Sequence, residues 1–173
     1  IMNIKLAVVI TAMLTMLQTV SAHGGEEKVG LTNIQIMLIS LLVSVIFYAT
    51  SKKLTDINPN RNFLLTLVSY TGVVHILLGI NDFVFLLGGL GVISVAILPY
   101  LSKSAKEKEG VLDIILSIIV ITMFIAYFVS NHDLHYILED YLGVSTKFAE
   151  AGIIALVIKQ SRSHSKQNNP SGN

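Results

Sequence analysis

Five apolar stretches of nearly membrane-spanning length, separated by short polar segments, constrain this chain more than anything else in it. They run over residues 33–51, 62–80, 83–101, 111–129 and 146–158. A helix needs ~20 predominantly apolar residues to cross the hydrocarbon core. Lipid offers no partner to a free backbone N–H or C=O, so each stretch is expected to be one continuous helix. The last is the shortest and carries Lys147 and Glu150 in its first turns, which suits a tilted span or one that turns polar groups towards its neighbours. Hydrophobic residues make up 53% of the chain and charged residues 13%, the balance of a protein that meets lipid several times. The expected fold is all-α: a polytopic helical membrane protein with about five transmembrane helices and membrane lipids around them.

The first residues read as a secretory signal peptide. Lys5 supplies a basic start, residues 6–17 an apolar run, and Val20-Ser21-Ala22 a small-residue cleavage site. The competing reading is an uncleaved first helix, against which stands an apolar run shorter than a span requires. The expected organisation is a signal peptide over residues 1–22, a transmembrane helical domain over 23–159 and a polar, disordered cytoplasmic tail over 160–173. Cleavage after Ala22 would leave His23 first, where amino group and imidazole can chelate one metal together. Its plain alternative is an exposed histidine in a wet loop.

Lys and Arg fall in alternate connections. Lys52, Lys53 and Arg61 lie between the first and second stretches, Lys103, Lys106 and Lys108 between the third and fourth, and Lys159, Arg162 and Lys166 follow the fifth. The other connections carry only Lys28 and Lys147. Short cytoplasmic loops are enriched in Lys and Arg, so the three basic segments are expected inside, with the N-terminus outside the cell membrane and the C-terminus cytoplasmic. An exported signal peptide predicts the same orientation. On that topology His23, His75, His132 and His135 lie on the outer side or in the outer half of the membrane, with Glu26, Glu27, Asp82, Asp133, Glu139, Asp140 and Glu150. His164 is inside.

Residues 72–87 put His75 and Asp82 seven positions apart within apolar sequence. Ionisable groups at membrane depth are costly and are kept mostly where they bind or move something. Seven residues is close to two helical turns, so the two side chains share a face if the helix continues that far. His132 and His135, three apart after the fourth stretch, can share one metal if they are helical. With no cysteine in the chain, any metal chemistry falls to histidine, carboxylates, methionine or the amino terminus, a donor set that suits nickel, cobalt, zinc, copper(II) or iron(II). Each residue also has a plain role: His75 as an interhelical hydrogen-bonding group, Glu150 paired with Lys147 at the interface, His132 and His135 as polar loop residues. Their common side and depth favour a metal site at His75, Asp82, His132, His135, Glu150 and His23.

The segment Gly72-x-x-His75-Ile76-x-x-Gly79-x-Asn81-Asp82-x-x-Phe85-Leu86-Leu87 resembles the G-x-x-H-I-x-x-G-x-D-H-x-x-F-L-L pattern of the HupE/UreJ-type membrane proteins. A second block of that family, A-H-S-x-T-L followed by L-G and V-E-x-x-I-A-L-S-I, is echoed by residues 131–135, by Leu142-Gly143 and by Glu150 with residues 151–158. The resemblance implies a nickel or cobalt permease. This chain departs from the pattern with Asn81-Asp82 where the family has Asp-His, and with Asp133 and His135 where it has Ser and Thr. One imidazole is lost, one carboxylate moves by a position, and the metal's identity does not carry over.

Other chemistries find little footing. Gly88-Gly89-Leu90-Gly91 lies within an apolar stretch, where small residues let helices approach closely, and no Walker lysine follows it. No nucleophile–base arrangement can be assigned, so no enzyme activity is expected. Topology accounts for the basic residues, so no nucleic acid partner is expected either. Two functional readings follow. The first is a permease or metal-capture protein for a divalent transition metal, nickel or cobalt before zinc or copper. The second is a non-catalytic or copper-binding subunit of a larger membrane oxidase or monooxygenase complex; a homo-oligomer is compatible with either.

Overall fold

Each of the five apolar stretches forms one helix in the computed structural model, which describes residues 31–54, 57–80, 82–130 and 139–167. In chain order these are α1 (Asn33–Leu54), α2 (Pro59–Leu78), α3 (Phe83–Leu101), a short connecting helix α4 (Lys103–Glu107), α5 (Glu109–Ser130) and α6 (Tyr141–Gln167). All but α4 are long and apolar enough to cross a membrane. No strand occurs among the described residues. The protein is a multi-pass helical bundle. The expected signal peptide lies outside the described residues, and α6 continues to Gln167, into the segment read as a polar tail.

Local chemistry marks the ends. Asn58 caps α2 by accepting the amide of Asn60 at 3.0 Å, with Pro59 at the first helical position, where its missing N–H costs nothing. The helix therefore starts before residue 62, and Arg61 sits in its first turn rather than in a loop. At the other end Gly79 caps the helix, its N–H reaching the His75 carbonyl at 2.8 Å. The chain then turns at once into α3, so tightly that a Cβ on Gly79 would lie 2.5 Å from Leu86 Cα. His75 and Asp82 consequently do not share a helix face; α2 stops at Leu78, and Asp82 opens the next helix. The last span is also longer than hydropathy suggests, because Ser145, Thr146, Lys147 and Glu150 depress the average yet find partners inside the bundle. The Ser145 hydroxyl pairs with that of Tyr70 at 2.8 Å, and that of Thr146 donates to the Leu142 carbonyl at 2.7 Å.

The central helix is α2, which packs against α1, α3 and α6, while α5 closes the ring against α3 and α6. Between α2 and α3 the approach is close: a Cβ on Gly89 would fall 2.6 Å from the Gly72 carbonyl. Gly89 is thus where the glycine-rich segment acts, through packing. The middle of the bundle is an apolar block that includes Leu64, Leu65, Val68, Val92, Leu116, Val120 and Ile153, all buried. On α5, Ile114, Ile118, Ile121 and Ile125 face outward, spaced three or four apart. Apolar side chains on the outside of such a bundle are compatible with lipid.

At one end of the block Arg61 ties four helices together. From α2 it donates to Asp113 on α5 at 2.6 Å and to Gln160 on α6 at 3.3 Å; its Nε lies 3.4 Å from the Tyr100 hydroxyl on α3 and 3.2 Å from Glu109. Ser51 and Asn62 join α1 to α2 at the same end, their side-chain oxygens 2.5 Å apart. Arg61 is 6% exposed, so it is a structural cation rather than a loop charge. Lys147, counted with the opposite loops, is likewise 7% exposed and lies within α6. Setting both aside leaves the asymmetry of the remaining Lys and Arg intact.

Candidate functional site

At the end opposite Arg61, α2, α3, α5 and α6 surround a cavity of about 500 Å³. Most of its wall is apolar, and its polar members include His75, Asp82, Tyr127, Asp140, Thr146 and Lys147. Two of the carboxylates do structural work at the rim. Asp82 is the N-cap of α3, accepting the Val84 amide at 2.9 Å. Asp140 accepts the Gly143 amide at 2.9 Å in the first turn of α6 and the Tyr127 hydroxyl at 3.0 Å, fastening α6 to α5.

His75 stands in the last turn of α2, its ring 5.7 Å from that of Phe85 on α3. Nδ1 lies 2.9 Å from the Thr71 carbonyl oxygen, one turn back. A carbonyl only accepts, so Nδ1 carries the hydrogen, and the neutral ring presents its lone pair at Nε2. The hydrogen bond is therefore within α2, not between helices, and it leaves Nε2 free of its own backbone.

Across from that nitrogen is Glu150. Its side chain is fully buried, and its two oxygens differ. Oε2 receives the Lys147 ammonium at 2.6 Å, the ion pair that a spacing of three allows, formed inside the bundle rather than at a membrane surface. Among the described residues Oε1 has no hydrogen-bond partner, and it lies 3.8 Å from His75 Nε2, too far for a hydrogen bond. When histidine is neutral and the carboxylate ionised, two acceptors face each other with no donor between them. Buried acceptors of this kind call for a proton, a donor such as water, or a cation between them.

Lys147 completes the group. Besides Glu150 it donates to the Met123 carbonyl at 3.1 Å, and its nitrogen lies 5.2 Å from the centre of the Tyr127 ring and 6.0 Å from that of Phe124. The geometry thus brings His75 and Glu150 together, with Asp82 on the cavity wall nearby. His132, His135 and His23 lie outside the described residues. Among the described residues no group of three or more His, Cys, Asp or Glu side chains is arranged to hold a metal ion. Sequence reasoning missed Lys147 and Tyr127 as parts of the site. The signal for Lys147 was a second ionisable residue three positions from Glu150 in a span, which the pairing rule could have placed indoors.

No family model matches the chain, and no curated protein or solved structure matches it.

Proposed function

We propose that this protein is a small permease or capture protein for a divalent transition metal, nickel or cobalt before zinc or copper, with His75 and Glu150 as its deepest ligands. One observation carries the reading: Oε1 of fully buried Glu150, with no hydrogen-bond partner among the described residues, lies 3.8 Å from the lone-pair nitrogen of His75, a residue of the cavity wall. Metal–nitrogen and metal–oxygen bonds are each about 2.0–2.2 Å, so one ion between these atoms spans such a gap with a bent angle. Two protein ligands with water in the other positions hold an ion weakly enough to let it go, as passage requires. Asp82 lines the same cavity but is engaged as the cap of α3, so in this reading water completes the coordination. The resemblance to HupE/UreJ-type proteins supports the same choice of metals.

In this reading the His75 end faces the outside and the Arg61 end the cytoplasm, supported by the distribution of Lys and Arg. The apolar block between Glu150 and Arg61 closes the inner side, so passage needs a second arrangement opened at Arg61, as in alternating access. Reconstituted alone into liposomes, the protein is expected to accumulate at least one of nickel, cobalt, zinc and copper. No accumulation of any of the four would end the permease reading and favour the subunit of a larger complex. The chain has no cysteine, so single cysteines introduced over residues 102–110 report topology cleanly. They are expected to resist an impermeant maleimide in intact cells, and ready labelling would reverse the orientation.

A further inference from the structure

The Lys147–Glu150 pair presents a difficulty for any cation that approaches His75, and the difficulty is informative. With neutral His75, ionised Glu150 and protonated Lys147, the deep group carries no net charge. An arriving divalent ion meets an ammonium already seated on the carboxylate it needs. Yet the ammonium has somewhere else to go. It already donates to the Met123 carbonyl at 3.1 Å, it lies beside the rings of Tyr127 and Phe124, and the Tyr127 hydroxyl leads to Asp140 at 3.0 Å on the same cavity wall. A carbonyl, aromatic faces and a carboxylate are all favourable company for an ammonium.

We propose that Lys147 is a tethered competitor for the ion site: it holds Glu150 while the site is empty and swings towards Met123, Tyr127 and Asp140 when a divalent cation enters between His75 Nε2 and Glu150 Oε1. The proposal rests on the metal reading above and adds to it the residue that sets selectivity and release. A tethered ammonium acts at high effective concentration, because it never diffuses away. A monovalent ion that displaces it exchanges one positive charge for another and gains little. A divalent ion brings a second charge to the carboxylate and gains the imidazole as well, so it can win. After it has won, repulsion from the displaced ammonium keeps binding weak, and the ammonium's return to Oε2 expels the ion. No proton needs to be transferred at any stage.

The test is cobalt(II) titration of the full chain in lipid nanodiscs, followed by visible absorption, whose intensity and position report the ligand set. Lys147→Gln removes the charge and keeps a hydrogen-bond donor for Glu150. It is expected to bind cobalt about tenfold tighter or more, which corresponds to about 1.4 kcal/mol, and to release it more slowly. Lys147→Met, unbranched and uncharged, supplies the same reading if the glutamine variant is not recovered folded. Lys147→Arg retains the charge and is expected to stay near the parent affinity. Adding His75→Ala to Lys147→Gln should abolish the tight spectrum. A merely structural ion pair predicts the reverse, since its loss would loosen the site and weaken binding. Equal or weaker binding by both neutral variants, with His75-dependent binding by the parent, overturns the competitor and leaves the metal site standing. No binding by the parent or by either neutral variant overturns both.

Discussion

Arg61→Ala is expected to destabilise the bundle by about 3–5 kcal/mol, the cost of stripping one partner from a buried ion pair. Asp113 bears most of that loss: it lies 2.6 Å from the guanidinium and its side chain is 14% exposed. The Glu109 contact adds little, because that carboxylate is 39% exposed and water screens it. Arg61→Lys should recover only part of the stability, since one ammonium cannot reach Asp113, Gln160 and Tyr100 together as a planar fork does. Joint replacement by Arg61→Met and Asp113→Leu should recover most of it, because no uncompensated charge is then left buried. Unfolding in mixed micelles with increasing dodecyl sulfate measures all four proteins. A loss below about 1 kcal/mol for Arg61→Ala would mean that the network behaves as an exposed surface pair.

His75→Ala is expected to reduce accumulation of the transported metal by at least about 100-fold, while the protein remains inserted and abundant. Removing a group that merely supports a metal ligand already costs 10–100-fold, and on the proposed reading His75 is itself a ligand. The variant should still fold, because the imidazole borders an existing cavity and its hydrogen bond among the described residues is to a carbonyl of its own helix. Glu150→Gln should also abolish accumulation, but with a stability loss from stranding the Lys147 ammonium, so the two variants separate ligation from packing. His135→Ala should do less, since His135 has no counterpart in the HupE/UreJ-type pattern. Uptake by liposomes, normalised to inserted protein, is the measurement. Unchanged uptake with His75→Ala would move the assignment to the complex-subunit reading.

Much of the fold is legible in the residues themselves. Five spans follow from five apolar stretches because a segment in lipid must satisfy its own backbone, and a helix does so without help from the rest of the chain. Where boundaries moved, a local cause is visible. Asn58 and Pro59 start α2 early, Gly79 and Asp82 divide α2 from α3, and Glu150 and Lys147 disguise the length of α6. Each is a short-range signal that an average over hydropathy dilutes. The glycine-rich segment likewise announced close packing before its partner, Gly72, was known.

Which polar groups meet is another matter. His75 and Asp82 could be picked out as unusual one by one, but their relation depended on a turn that breaks the helix between them. Arg61 and Lys147 read as loop charges marking two sides of a membrane, and both lie buried in ion pairs. Arg61 finds Asp113 52 residues away and Gln160 99 residues away. His75 faces Glu150 from a different helix, while only the Lys147–Glu150 pair lies within reach of a local rule. The sequence by itself therefore determined the five apolar spans among the described residues and the uneven distribution of Lys and Arg between their connections, since these depend on residues near one another in the chain. Only the tertiary structure decided that one oxygen of Glu150 is taken by a lysine and the other left facing a histidine, because burial and pairing are settled by how α2, α5 and α6 pack.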